Sequence, residues 1–299
     1  MSTTVLLSIL IPVYNWDVSP LLRRLHKQCM GLRHEKVEIL VLDDGSSRVF
    51  ELASIADLPL VNYERLVRNM GRSIVRNMLL EKACGRYILF LDADMLPDHD
   101  DFLRRYLDLA AAGRDIVCGG ISYRQYIAGD GDSLFHLYKS NKTEALPARI
   151  RNRSPWRYLF TSNIMLRREV VTKVRFDKRF TGYGYEDIEW GIRLSGLYTI
   201  VHIDNTCTHM GVMGKMKVLE NMKKSIDNLA LLHGLHPAKT ASGGAVFYAR
   251  KLLFMPDAIL ATAEGFLTRL FTYFSSPPLL FVLFQCDKVV LLARALKRG

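Results

Sequence analysis

The sequence predicts an α/β fold with a mostly parallel sheet, followed by C-terminal amphipathic helices. Short, nearly continuous apolar runs such as Val37–Leu42 and Tyr87–Leu91 alternate with stretches of helical length. That is the pattern of strands buried on both faces and joined by crossover helices. Both runs stop at carboxylates, Asp43-Asp44 and Asp92-Ala93-Asp94. In open α/β sheets ligands bind just outside the carboxyl ends of the strands. Two acidic strand ends therefore predict a polar ligand that needs acceptors, or a metal held together with a phosphorylated ligand. The last fifty residues are rich in apolar and aromatic side chains and predict the helices.

Taken in order, Val5–Val13 reads as strand, Pro20–Met30 as helix and Val37–Leu42 as strand. A helix over Val49–Ala56 and a short strand near Leu60–Arg65 follow. Arg72–Ala83 reads as helix, Tyr87–Leu91 as strand, Asp100–Ala112 as helix and Ile116–Ile121 as strand. From Tyr123 to Trp156 the regularity fails, and this stretch reads as a long loop or partly helical insertion. Tyr158–Leu166 resumes strand character. Ile188–Leu194 reads as helix, Thr199–Ile203 as strand and Met216–Leu232 as helix.

In Asp257–Phe274 the polar residues Asp257, Glu264, Thr268 and Thr272 form one helical stripe. Ile259, Leu260, Phe266, Leu267, Leu270, Phe271 and Phe274 cover the rest. Pro277-Pro278 breaks this helix, and Leu279–Leu296 forms the next. A wide apolar face with basic residues suits a helix lying in a membrane interface. The alternative is a helical hairpin packed on the core or making a homodimer.

The 299 residues suffice for one large α/β domain plus an appendage. A net charge of +11 points to acidic partners such as phosphates, nucleotides, anionic lipid or nucleic acid. Nucleic acid is not expected, because aromatic-interleaved basic strands are missing and the carboxylates would repel phosphate without a metal. The five cysteines are scattered, with neither Cys-x-x-Cys nor zinc spacing, which suits unpaired thiols in a reducing compartment. Val5–Val13 lacks a basic flank and reads as the first strand rather than a signal peptide. No run of about 20 apolar residues suggests a single spanning helix.

Several motifs occur in a telling order. Residues 8–15 read Ser-Ile-Leu-Ile-Pro-Val-Tyr-Asn, and Asp43-Asp44-Gly45-Ser46 follows. Then come Asn69-Met70-Gly71 with Arg76-Asn77, and Asp92-Ala93-Asp94. Phe176-Asp177, Gly182-Tyr183-Gly184-Tyr185-Glu186-Asp187 and Thr208-His209-Met210-Gly211 complete the set. Together they resemble family 2 glycosyltransferases of the GT-A (Rossmann-like) fold over about residues 5–212. The resemblance implies an inverting, metal-dependent transferase that moves a hexose or N-acetylhexosamine from a UDP-sugar to a glycan hydroxyl. Bacterial polysaccharide or lipid-linked oligosaccharide synthesis is the implied setting. Residues 1–235 would form the glycosyltransferase domain, with a donor half to about 122 and an acceptor half from about 123. Residues 236–299 would be the membrane-associating region, on the cytoplasmic face. The rivals are a nucleotidyltransferase and a non-catalytic nucleotide-binding module.

Donor binding is expected at Pro12, Tyr14, Asp43, Asp44, Arg76 and Asp92. Tyr14 can stack on the uracil ring, and Asp44 or Asp43 can accept from its N–H; Asp44 is favoured. The competing reading of Asp-Gly is plain turn chemistry. Asp92 and Asp94 sit two residues apart, so both side chains share one face of an extended chain. By resemblance Asp94 binds Mn²⁺ or Mg²⁺ directly, Asp92 binds ribose or the metal through water, and His209 is a late metal ligand. Arg72 and Arg76 would add positive charge, or would be plain helix surface. Asp98 reads as a helix N-cap.

Glu186-Asp187 follows a glycine-rich approach at a helix N-terminus, where carboxylates are favoured. By resemblance Asp187 is the general base and Glu186 binds acceptor hydroxyls, against helix capping as the simpler account. Trp156 would border the acceptor site. The segment Lys139–Arg179 holds twelve Lys or Arg against three acids and reads as an anion-binding surface or a solvated loop.

Overall fold

The computed structural model describes residues 5–32, 37–48, 50, 58–127 and 131–298. The helix expected over Val49–Ala56 lies outside the described residues except for Phe50. The chain divides into two compact units: residues 1–126, 144–176 and 190–211, and residues 127–143, 177–189 and 212–299. The boundary expected at 235 falls inside the second of these units. The second unit begins at Val212 and draws in two earlier segments, because its core is built from helices far apart in sequence.

The first unit is organised on a seven-stranded sheet. Its strands are β1 (Leu7–Val13), β2 (Val37–Asp43), β3 (Val61–Arg65), β4 (Tyr87–Leu91), β6 (Ile116–Cys118), β8 (Asn163–Arg167) and β9 (Ile200–His202), in the order β3-β2-β1-β4-β8-β6-β9. All neighbours are parallel except that β8 runs against β4 and β6. β1 and β4 are almost wholly buried, which explains their unbroken apolar sequence. Two helices, α1 (Ser19–Met30) and α3 (Phe102–Ala111), pack Leu21, Leu22, Leu25, Phe102 and Tyr106 on one face against Leu7, Ile9 and Ile11. On the other face Val75 and Leu79 of α2 (Arg72–Lys82), with Trp190, cover Leu10, Ile88 and Phe90.

The run expected as one strand, Ile116–Ile121, is two. Gly119-Gly120 separates β6 from β7 (Ile121–Ser122), which joins β5 (Met95–Pro97) and β10 (Cys207–His209) in a three-stranded sheet. Gly120 has φ of +93°, and a Cβ there would fall 2.5 Å from the Arg151 guanidinium. Arg151 is fully buried and its guanidinium donates to the carbonyls of Leu146, Cys118, Gly119 and Ile203, and to His202 Nδ1. Burial, with Arg151 alongside, pulls the His202 pKa down to about 4. Thus the neutral ring accepts from Arg151 and donates from Nε2 to Pro155 O.

The second unit is helical: α4 (Leu134–Thr143), α8 (Lys215–Lys224), α9 (Ile226–Leu235), α10 (Pro237–Thr240), α11 (Gly244–Lys251), α12 (Asp257–Tyr273) and α13 (Pro277–Arg298). In the first unit α5 (Ala148–Arg151) and α6 (Arg168–Lys173) are short, and α7 (Glu186–Ser195) runs from one unit into the other. Ser225 interrupts the helix expected over Met216–Leu232. The last two helices form a hairpin whose Phe271, Leu280, Leu283 and Phe284 enclose a core with Phe135, Val218, Leu219 and Met222.

This packing corrects the reading of one outward apolar face. Leu260 and Phe271 are buried, and Leu267, Leu270 and Phe274 pack against the core. The polar stripe is engaged by other helices of the unit, with Glu264 and Thr268 partly buried and Asp257 and Thr272 exposed. Arg294 pairs with Asp257 and Glu264, and Lys223 bonds Glu264 and Thr268. The hairpin is therefore part of the unit's core and not a detachable tail. Among the described residues no helix is long and apolar enough to cross a membrane.

Candidate active site

β1 lies between β2 and β4 and runs parallel to both, so the three carboxyl ends open on one edge of the sheet. There the chain must turn away within a few residues. Asn15 takes φ of +53°, its N–H donates to Ser46 Oγ, and its Oδ1 accepts from Ser47 N and Arg48 N. Gly45 has φ of +67° and lies against the Arg68 backbone, where a Cβ would come within 2.6 Å. Pro12 faces Leu42 within the sheet, and Tyr14 projects half-exposed from the same edge.

Both carboxylates at the end of β2 are buried and employed. Asp43 accepts from Ser46 N and Tyr63 Oη, each at 2.8 Å. The two oxygens of Asp44 accept from Met70 N (2.6 Å) and Gly71 N (2.9 Å). Asp44, favoured from sequence as the base-reading carboxylate, thus holds the Asn69–Gly71 turn that leads into α2.

Asp92 Oδ1 lies 3.0 Å from Arg76 Nη2. Burial opposes its ionisation, but the charges of Arg76 and Arg72 outweigh it and hold the carboxyl below the usual range. Arg76 is not surface: it is buried, and its Nε has no hydrogen-bond partner. Asp94 Oδ2 lies 3.1 Å from His209 Nε2, and Asp94 O accepts from Met210 N at 2.8 Å. Burial works against protonation of His209, but the bond and charge of Asp94 overcome it and raise its pKa. A Cβ on Gly211 would fall 2.4 Å from Asp94 Oδ2 and 3.2 Å from His209 Nε2. The glycine therefore leaves a hollow beside a carboxylate and an imidazole. Such a donor pair fits a divalent cation that takes its remaining ligands from substrate phosphates and water. No group of three or more His, Cys, Asp or Glu side chains suited to a metal occurs among the described residues. An open cleft beside Asp94 is lined by Asn15, Trp16, Asp17, Arg48, Phe50 and Met210, among others.

Glu186 and Asp187 begin α7 and belong to the second unit. The loop before them is bent at three positive φ values within four residues, Gly182 (+77°), Gly184 (+87°) and Tyr185 (+69°). Only glycine adopts that region freely, so Tyr185 is held there by its surroundings. Lys288 Nζ sits 5.4 Å over its ring, and Asn228 Nδ2 donates to the carbonyls of Thr181 and Gly184. Glu189, one turn into the helix, is buried against His236. Trp156, in the first unit, is half-buried against the core under α2.

Sequence reasoning missed two polar hubs. Asp98 does not cap a helix: it accepts from Ser122, Thr206, Thr208 and Gln125 and ties the three-stranded sheet together under His209. Thr206, just before β10, and Thr208 within it are two residues apart, a spacing that puts both on one face of an extended chain and was readable in the sequence. Arg151 lies in the basic segment Lys139–Arg179. Its burial, and the pairing of Arg167 with Asp115 and Arg179 with Asp177, remove three of the twelve cations from any anion-binding surface.

The model of glycosyl transferase family 2 matches residues 8–175. The chain is 26% identical over 273 residues to the uncharacterized glycosyltransferase YfnE of Bacillus subtilis, covering 73% of this chain and 68% of that one. It is 27% identical over 199 residues to the amylovoran biosynthesis glycosyltransferase AmsB of Erwinia amylovora, covering 58% and 59%. It thus spans about two thirds of YfnE and less of AmsB. The structure is similar, with TM-score 0.53 and 16% identity, to the mannosyltransferase PcManGT of Pyrobaculum calidifontis in complex with GDP-Man and Mn²⁺, covering 99% and 87%. The α/β GT-A fold with C-terminal helices is the one observed.

Proposed function

The chain belongs to glycosyl transferase family 2, and on that premise we propose that it transfers a hexose or N-acetylhexosamine from a UDP-sugar to a glycan hydroxyl with inversion. The observation that carries this reading is the Asp94–His209 contact at the strand edge where Asp43, Asp44 and Asp92 also end. Asp94 and His209 would hold Mn²⁺ or Mg²⁺. When bound, the cation supplies Lewis-acid neutralisation of charge on the departing nucleotide diphosphate. The Mn²⁺ in PcManGT supports a divalent cation here.

Arg76 and Arg72 hold Asp92 ionised, ready to accept from ribose hydroxyls, and they raise the local positive potential toward the diphosphate. Tyr14 offers a ring for the base, and Asp43 keeps acceptor capacity beside Asp44 for its N–H. Trp16 and Phe50 line a cleft suited to the apolar face of a sugar. Asp187 takes the proton of the attacking hydroxyl, Glu186 binds neighbouring hydroxyls, and Trp156 borders the acceptor. AmsB supports a role in polysaccharide biosynthesis.

The test is release of nucleoside diphosphate from a panel of UDP-sugars and GDP-mannose, with and without Mn²⁺, in the presence of simple glycosides. The reading expects metal-dependent release from a UDP-sugar. Release only from GDP-mannose would move the donor assignment, and metal-independent release would remove the cation.

A further inference from the structure

Helix α12 shows water a row of large apolar side chains besides the ones it buries. Ile259, Phe266 and Tyr273 are all exposed, Phe266 to 61% and Tyr273 to 82%. They are spaced seven residues apart, so they fall within about 40° of one another around the helix. Thr262 and Arg269, also exposed, lie along the same side. The inward side is committed through Leu260 and Phe271 in apolar packing and Glu264 on Arg294. Phe254, 84% exposed, and Leu253 precede the helix. Scattered exposed apolar residues need no explanation, but an aromatic row along one helix marks an interaction surface.

We propose that this row is a membrane-docking face, seated in the headgroup region of an anionic bilayer with α12 lying along the surface. Charge decides the occupant. Residues 212–299 carry twelve Lys or Arg against five acids. The acids are engaged within the unit: Glu220 with Lys217 and Lys224, Asp227 with Arg298, Asp257 and Glu264 with Arg294, while Asp287 is buried near Lys223. Arg269 on the row, and Arg250 and Lys251 ahead of it, are exposed. Anionic headgroups complement those cations while Phe254, Ile259 and Phe266 enter the acyl boundary and Tyr273 keeps its hydroxyl at the wet interface. A second copy of this chain brings the same surplus of positive charge. A symmetric seam along the row would also bury Arg269 with its own counterpart. The face shares only Ile259 and Phe266 with the one expected from sequence. It uses none of the donor or acceptor residues, so it stands or falls apart from the proposed transfer.

The test is co-sedimentation of the full chain with vesicles of phosphatidylcholine alone and with one quarter phosphatidylglycerol. Binding to the anionic vesicles is expected, at least tenfold weaker on the neutral ones. The triple variant Phe254→Ser, Phe266→Ser, Tyr273→Ser should lose at least tenfold on anionic vesicles. Its circular dichroism and melting temperature should not change, since all three side chains are already in water. Equal binding by wild type and triple variant overturns the proposal, as does failure of the wild type to bind. A wild-type dimer in sedimentation equilibrium that the triple variant converts to monomer would assign the face to a second copy and also overturn it.

Discussion

Asn228 Nδ2 donates to Gly184 O at 2.9 Å and, at the same distance, to Thr181 O. One buried amide thus bridges the two ends of a loop with three positive φ values, and the loop delivers Glu186 and Asp187 to the start of their helix. Holding Tyr185 in that region costs on the order of 1–3 kcal/mol, and a buried hydrogen bond contributes about 1 kcal/mol. Loss of the amide should release the loop. Asn228→Ala is expected to reduce transfer at saturating donor about tenfold or more, with nucleotide affinity within twofold of wild type. Asn228→Asp keeps the shape but turns an acceptor toward the carbonyls, so it should not rescue. Rescue by aspartate, measured in the same steady-state assay, would reduce Asn228 to a space-filling role.

Gly211 offers a test of the metal site that leaves the ligands in place. A Cβ there would press on Asp94 Oδ2, the free end of a side chain, so the carboxylate is the part that yields. Gly211→Ala should therefore fold normally yet weaken Mn²⁺-dependent nucleotide binding, following Asp94→Ala, which should abolish it. Calorimetry with UDP, with and without Mn²⁺, reads both. Unchanged affinity in Asp94→Ala would remove the metal assignment.

The strand edge was legible because its signal is local. Tyr87–Leu91 forms a strand at the expected bounds, since an apolar run ending in carboxylates has few other readings. What escaped was set by partners far away in sequence. The Asp257–Glu264–Thr268 stripe looks like a solvent face until Arg294 and Lys223 arrive from other helices. Ile116–Ile121 looks like one strand until the Arg151 guanidinium occupies the space beside Gly120. Periodicity records which residues share a side and not which side is covered.

Asp187→Asn keeps shape and hydrogen bonding but cannot accept a proton. If Asp187 is the base, transfer should fall by roughly a hundredfold or more, in line with general-base contributions. Donor binding should be unchanged, because none of the expected donor residues is altered. Near wild-type turnover would shift the role, with Glu186 as the next residue to change.

Asp287 is 2% exposed, and Lys223 Nζ stands 3.8 Å away. Burial pushes its carboxyl up to about 6, against the pull of Lys223 and with Glu264 adding to the push. The folded state thus prefers the protonated acid. Its contribution is fully present below the unfolded pKa of about 4 and is lost as the pH rises through 6. A two-unit difference corresponds to about 2–3 kcal/mol at most. His202, in the other unit, works in the opposite sense. Its pKa of about 4 makes its contribution present above about 6.5 and lost as the pH falls through 4. Comparing wild type with Asp287→Asn cancels His202, which both proteins share. In urea denaturation Asp287→Asn should be the more stable at pH 7.5, and the difference should shrink toward pH 4.5. A difference that stays constant over that range would show that Asp287 is ionised, and accommodated, in the folded core.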